Sequence, residues 1–372
     1  MDGIGINALA LILTLGLLNC VSLGECVPNA QPQVPCFFIF GDSLVDNGNN
    51  NGILTLARAN YRPYGIDFPE GASGRFTNGK TIVDVLAQLL GFRGLIPPYA
   101  TAQNNAILRG VNFASGASGL RRETGRNLGD HYHFAEQVEH FRSAIQTMKR
   151  NFKGNDTMLT DYLGKCIFYV GMGSNDYLNN YFMPNLYTTS YQYSQKAYST
   201  ILLQEYSQQL SQLYDLGVRK AAIVGLGQIG CIPYELARLN NNTNNNRTCN
   251  DNINKAIAIY NAGLLQMVKQ FNTKPGAKFV YVNTFESSKD LVSNADTYGF
   301  SVIDKGCCGV GRNNGQITCL PYQTPCQDRT KYLFWDAFHP TEAANLIYAK
   351  KAYSSPSTSD VYPMNIQQLA IA

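Results

Sequence analysis

The sequence predicts an α/β fold in which a central parallel sheet carries helices on both faces. Three observations predict it. Short apolar runs at residues 37–40, 166–170, 221–224 and 278–282 read as buried strands. Segments of a dozen residues or more with helical periodicity lie between them, the signature of βαβ units. Three of the runs stop at a loop of small or polar residues, and in a parallel open sheet such strand ends open on one edge, where sites form. The 372 residues suffice for one large core. No composition break or internal repeat divides them, so residues 25–372 are expected to form a single domain.

The first run, Phe37-Phe38-Ile39-Phe40, leads into Gly41-Asp42-Ser43, and the Gly-Asp pair marks its break into a loop. Ser43 then either caps a following helix or stands on a rigid strand edge as a reactive group. Asp46 to Gly52 is a concentrated turn signal. Residues 80–90 place apolar side chains at 82, 83, 85, 86, 89 and 90, a helical face expected to start near Asn78 and to stop at Gly91. Residues 112–119 form a dense small-residue loop. Its glycines let backbone amides approach a ligand closely, although an ordinary packing turn reads the same way. His131, His133 and His140 have no clustered Cys or carboxylate beside them, so structural roles are expected for all three. Residues 134–148 read as a helix.

The second run, ending at Val170, leads to Gly171-Met172-Gly173-Ser174-Asn175-Asp176. A helix over 198–216 is stopped by Gly217. The third run enters Gly225-Leu226-Gly227-Gln228-Ile229-Gly230, which matches G-x-G-x-x-G in letters. Cys231-Ile232-Pro233 stands where a phosphate-binding helix should begin, so a tight loop is expected and a dinucleotide is not. A helix over 253–271 precedes the fourth run. A cysteine-rich stretch follows, then Tyr332-Leu333-Phe334-Trp335 leading to Asp336 and His339, and a last helix over 342–350.

Composition bounds the function. The formal charge is +4 with no Lys/Arg-rich tract, which excludes a nucleic-acid partner. Residues 6–23 are almost continuously apolar, and Ser22 and Gly24 supply small residues before Glu25. Residues 1–24 therefore read as a secretory signal peptide, with no spanning segment in the mature chain. Of ten cysteines, Cys20 leaves with that segment; the remaining nine suit an oxidising compartment, with four crowded between 307 and 326 as a disulfide-stapled loop. Nine is odd, so at least one thiol is free or pairs between chains, and connectivity stays open. Three sequons, at Asn155, Asn241 and Asn246, fit a secreted, extracellular or wall-resident protein.

The strand-end loops and the Asp336-x-x-His339 pair can converge into a site for acyl transfer. Ser43 would be the nucleophile, inert until a base takes its proton. His339 would be that base and then the acid for the leaving group. Asp336 would fix the imidazole tautomer. The amides of Ser43 and Gly116 and the side chain of Asn175 would hold the oxyanion. Alone, Asp-x-x-His also reads as a helix cap. No G-x-S-x-G elbow occurs, which argues against an ordinary α/β-hydrolase.

Four ordered blocks now carry a resemblance. They are Phe40-Gly41-Asp42-Ser43-Leu44 with Asp46, Gly48 and Asn49; Asn112 with Ala114-Ser115-Gly116; Gly173-Ser174-Asn175-Asp176; and Asp336-x-x-His339-Pro340. Cys307-Cys308-Gly309 and Gly225-Leu226-Gly227 add to them, and Gln228 departs where relatives often carry Pro. Across nearly all the mature chain the sequence resembles the plant GDSL esterase/lipase family of the SGNH hydrolases. The resemblance implies a flavodoxin-like three-layer α/β/α sandwich. It implies Ser43, Asp336 and His339 as a triad, Gly116 and Asn175 completing the oxyanion hole, and no metal or organic cofactor. The expected activity is hydrolysis of small-molecule or lipid carboxylic esters through an acyl-Ser43 intermediate. Two alternatives use the same scaffold: an O-acetyl esterase of wall polysaccharide and a non-catalytic wall-binding protein.

Overall fold

The strand ends that gather the polar loops lie side by side in a computed structural model, which describes residues 31–239 and 249–372. The signal-peptide segment, Cys26, Asn241 and Asn246 fall outside the described residues. In chain order the main elements are β1 (Phe37–Gly41), α1 (Ile82–Leu89), α2 (Phe134–Asn151), α3 (Asp156–Gly164), β2 (Ile167–Gly171), α4 (Gln195–Asp215), β3 (Lys220–Val224), α5 (Pro233–Arg238), α6 (Asp251–Phe271), β4 (Lys278–Val282), α7 (Thr284–Ser293), β5 (Val302–Gly306), β6 (Tyr332–Phe334), α8 (Glu342–Ser354), β7 (Val361–Tyr362) and α9 (Ile366–Ile371).

The main sheet has the order β1-β2-β3-β4-β7, with the first four strands parallel and β7 antiparallel. The register lines up Phe40, Val170, Ile223 and Tyr281 across it. Beyond β1, residues 111–113 run alongside as a short parallel bridge, with the Ile39 amide donating to the Val111 carbonyl and the Phe113 amide to that of Ile39. This segment was expected as pure loop. It lies second in chain order on the far side of β1, so the topology follows the flavodoxin-like pattern.

Alternation along the strands makes three layers. Phe38, Phe168, Ile223 and Phe279 face one core, covered by α2, α4 and α6; Phe37, Ile167, Val224 and Val280 face the other, covered by α1, α8 and α9. Both faces are buried, which is why these strands read as continuous apolar runs. A third, smaller cluster joins Tyr64, Phe76 and Trp335 to Cys307, Cys308 and Cys319.

One boundary corrects the sequence reading. Helix α1 starts after Thr81, whose hydroxyl takes the Asp84 amide while the Asp84 carboxylate takes the Thr81 amide, a capping box. Asn78 instead ties loops together, donating to Asp67 and accepting the Glu342 amide. Helices α3, α5, α7 and α9 were not expected. Every cysteine among the described residues is paired: Cys36–Cys166, Cys231–Cys249, Cys307–Cys326 and Cys308–Cys319. No helix among the described residues is long and apolar enough to cross a membrane.

Candidate active site

Ser43 stands on a tight turn at the carboxyl end of β1. The Asp42 carbonyl accepts the amides of Val45 and Asp46, and the Asp42 carboxylate accepts the Leu44 amide at 3.0 Å. The turn closes because Gly41 has no side chain: a Cβ there would lie 2.5 Å from Val45 Cγ2. Gln137 of α2 locks the same strand end, accepting the Gly41 amide at 3.0 Å and donating to its carbonyl at 2.8 Å. No helix begins at Ser43, so it is no cap, and its amide has no protein acceptor among the described residues.

His339 approaches from the far end of the chain. Its Nε2 lies 2.8 Å from Ser43 Oγ, and its Nδ1 lies 2.8 Å and 2.9 Å from the two Asp336 carboxylate oxygens. A ring nitrogen facing a carboxylate carries the proton, which leaves Nε2 to accept from Ser43. Asp336 also caps its own turn, accepting the amides of Phe338 and His339 at 2.9 Å and 2.8 Å. The two readings of Asp-x-x-His therefore describe one carboxylate with two tasks. The helix cap of α8 is Thr341. Two further donors reach Asp336 Oδ2: the hydroxyls of Tyr64 and, at 2.9 Å, Thr318. Burial alone would push the Asp336 carboxyl up. The His339 charge and the hydrogen bonds from His339, Tyr64 and Phe338 outweigh it and hold the group below the ordinary carboxylate range. Tyr64 and Thr318 escaped the sequence reading because neither sits in a motif; the only signal was the irregular Arg62-Pro63-Tyr64-Gly65 stretch.

On the opposite side Asn175 is aimed by two contacts. Its Nδ2 donates to the Ser118 carbonyl at 2.9 Å, and its Oδ1 accepts from Asn179 at 2.6 Å. Its second Nδ2 hydrogen has no protein acceptor among the described residues. Next to it, Asp176 is fully buried and holds the loop before α2 by accepting the amides of Leu120 and Arg121 and the Thr124 hydroxyl. Desolvation pushes its carboxyl up to about 7 against those bonds.

Gly116, expected to help hold the oxyanion, spends its backbone groups within the loop. Its amide donates to Asp46 Oδ2 at 2.9 Å, and its carbonyl accepts from Asn50 at 3.0 Å. Asp46 also accepts the amides of Gly48 and Asn49, and burial still pushes its carboxyl up to about 6. The Gly116 amide is thus committed to tying the small-residue loop to the Ser43 turn. The next residue, Ala117, borders the cavity at φ 66°, and its amide has no protein acceptor among the described residues.

Ser43, Ala117, Asn175 and His339 open on one cavity of about 400 Å³. Its walls are mainly apolar, with Leu178, Val224, Leu226, Ile229, Ile232 and Phe338 among them. The 225–230 loop supplies part of that wall. Its Leu226 and Gly230 amides are held by Asn261 and Asn254, so they are not free to cradle a phosphate. His133 caps α2 and His140 stacks on Tyr99, both structural. Asn155 lies exposed at the N-cap of α3, where its Oδ1 accepts the Met158 amide.

The whole chain has known relatives. Residues 37–352 match the family model described as GDSL-like Lipase/Acylhydrolase. A GDSL esterase/lipase of Arabidopsis thaliana is 60% identical over 345 residues, spanning 92% of this chain and 93% of the relative. A second from the same plant is 52% identical over 355 residues, spanning 95% and 96%. With a three-layer α/β architecture, a serine at the first strand end and matches along almost the full length, the chain belongs to the GDSL esterase/lipase family of serine ester hydrolases.

Proposed function

We propose that this hydrolase cleaves carboxylic esters of apolar acyl groups through an acyl-Ser43 intermediate. His339 Nε2 takes the Ser43 proton as Oγ bonds to the ester carbonyl carbon. The imidazolium then gives that proton to the departing alcohol oxygen as its bond to carbon breaks. A water molecule repeats the sequence in reverse roles and releases the acid, restoring Ser43. Asp336 stabilises the imidazolium throughout. The oxyanion donors we assign are the amides of Ser43 and Ala117 and the open Nδ2 hydrogen of Asn175; Ala117 takes the place first given to Gly116, whose amide is committed to Asp46.

The observation that carries this reading is the hydrogen-bonded chain Ser43–His339–Asp336 opening into an apolar cavity. Apolar walls of this size suit a hydrocarbon acyl chain better than a sugar. The test is turnover of p-nitrophenyl esters from acetyl to palmitoyl, with Ser43→Ala alongside. The expected result is Ser43-dependent turnover that favours longer chains, and loss of nearly all turnover in the variant. Preference for acetate release from acetylated polysaccharide would replace the lipid reading. A folded chain that turns over nothing and fails to react with an organophosphorus serine probe would indicate a binding protein.

Export through the secretory route is part of the same reading. Its supports are the apolar leader, the four disulfides and the exposed Asn155 sequon. Amino-terminal sequencing of protein collected from the medium checks it. Glu25 is the expected first residue, and Met1 would show an uncleaved leader.

A further inference from the structure

Four large apolar side chains stand out in water on two stretches, 54–56 and 183–191, each of which also supplies a residue of the cavity wall, Leu56 and Met183. Leu54, Leu56, Leu186 and Tyr191 are 82%, 79%, 59% and 77% exposed. The first two are presented by a rigid device. The Thr55 backbone bridges antiparallel to Gly129, with the Leu56 amide donating to the Leu128 carbonyl and the Asp130 amide to that of Leu54. Side chains alternate on such an extended segment. Thr55 turns inward, is buried and donates to the Leu128 carbonyl, so Leu54 and Leu56 share the outer face. Leu186 belongs to the adjoining loop, where Tyr187 donates to Asn127, a residue of the cavity wall.

The exposed apolar surface is continuous with the cavity. Leu56 and Leu44 are both exposed and both line it, so an apolar path runs from the outer rim to Ser43. The same rim is basic. Arg122 and Arg126 are exposed and have no carboxylate partner among the described residues, while Arg121 beside them is paired with Glu123 and Glu205. Arg58 borders the cavity itself. Asp130 is an exposed carboxylate on the same bridge, leaving the cations in excess.

We propose that this rim docks on an anionic phospholipid surface, with Leu54, Leu56, Leu186 and Tyr191 entering the headgroup boundary and the unpaired arginines meeting the lipid phosphates. Stable attachment to a membrane takes two signals, and an apolar wedge beside free cations supplies both. Charge selects lipid over a second copy of this chain. A two-fold pairing on this face would set Arg122 and Arg126 against their own images. The docked orientation places the cavity mouth at the boundary from which an ester with a long apolar tail would enter.

The binding half of the inference is read apart from the ester chemistry, on which only the substrate-entry part rests. Full-length Ser43→Ala protein is floated with phosphatidylcholine vesicles, with and without phosphatidylglycerol. Co-flotation with the anionic vesicles is expected, weakened by salt. Burying a leucine is worth roughly tenfold to a hundredfold in partition, so Leu54→Ser with Leu186→Ser should cut binding by at least about tenfold. Arg122→Gln with Arg126→Gln should erase the preference for anionic lipid. Neither leucine lines the cavity, so in the Ser43 background the leucine pair should leave turnover of a soluble short-chain ester unchanged. No co-flotation, equal binding to neutral vesicles, or binding untouched by these variants would overturn the proposal. So would a dimer that the leucine pair dissolves in the absence of vesicle binding.

Discussion

Ser43 and His339 meet across two regions that are held in place by different means. Ser43 belongs to the sheet edge. Its turn is set by β1, by Asp42 and Asp46, and by Gln137, through hydrogen bonds to buried backbone. His339 belongs to a loop-built lobe whose strands are the two short ones, β5 and β6. There the Cys307 and Cys308 amides donate to the carbonyls of Phe334 and Trp335, beside Asp336. Disulfides from those same cysteines to Cys326 and Cys319 fasten the outer loop. Cys319 in turn places its neighbour Thr318 on the Asp336 carboxylate, and Tyr61 clasps the Cys319 carbonyl at 2.8 Å. A sheet edge aligns a residue by regular backbone pairing. A loop lobe of this kind needs covalent staples and side-chain bonds to reach the same accuracy.

The contrast can be broken at several points. The largest effect is expected from Asp336→Asn, which keeps the shape but favours the wrong imidazole tautomer; kcat should fall by about ten-thousandfold. Steady-state kinetics beside a thermal melt would separate this from unfolding, and a loss under tenfold would show that Asp336 does not orient His339. Next comes Cys308→Ser with Cys319→Ser. Removing a native crosslink commonly costs about 2–4 kcal/mol. The lobe should loosen first, so reactivity toward a serine probe should fall at a denaturant concentration where the far-ultraviolet signal of the sheet is intact. Simultaneous loss of both would mean that the two regions unfold as one.

Tyr64→Phe sharpens the comparison further. A hydrogen bond to a charged group is worth about 1.5–3 kcal/mol, so kcat should drop by roughly tenfold or somewhat more. The sign of the pH effect follows from the bond's direction: a donor to the carboxylate holds its pKa down, and deleting it lets the pKa rise. The acidic limb of the rate profile should therefore move to higher pH. An unmoved limb would leave Tyr64 a packing residue only. The smallest effect lies on the sheet-edge side. Ala117 holds φ 66°, a left-handed conformation that costs a side chain about 1 kcal/mol. Ala117→Gly keeps the amide and removes that strain, but the freer unfolded chain of a glycine offsets about 0.4–1 kcal/mol of it, so stability should stay within about 1 kcal/mol with activity retained. Gly116→Ala should lower stability, because its Cβ would lie 2.8 Å from Asn50 Nδ2 and 2.8 Å from the Phe76 ring. Equal melting temperatures for the two variants would contradict this division of roles.

Much of the sheet was legible because buried parallel strands are unbroken apolar runs, and the ends of β1, β2 and β3 could be placed to within a residue or so. The 111–113 segment was not, since Val-Asn-Phe beside a run of small residues has no strand period of its own; its pairing to Ile39 is a tertiary fact. The start of α1 was misjudged for a related reason. Asn78 and Thr81 are both good caps, and the choice fell to Thr81 because Asp84 completes the box while Asn78 is drawn away by Asp67 and Glu342.

By itself the sequence determined the residue types for acyl transfer, their order and the strand ends that carry them, because local apolar runs and turn residues act over a few positions. It also determined the cysteine-rich lobe, though not its pairings. Only the tertiary structure decided that Tyr64 and Thr318 share the Asp336 carboxylate, and that Asp46 takes the amide of Gly116 and leaves that of Ala117 open. These are contests among donors far apart in the chain for one buried acceptor. Burial makes each unpaired polar group costly, so the winner is set by which groups the fold brings within hydrogen-bond reach.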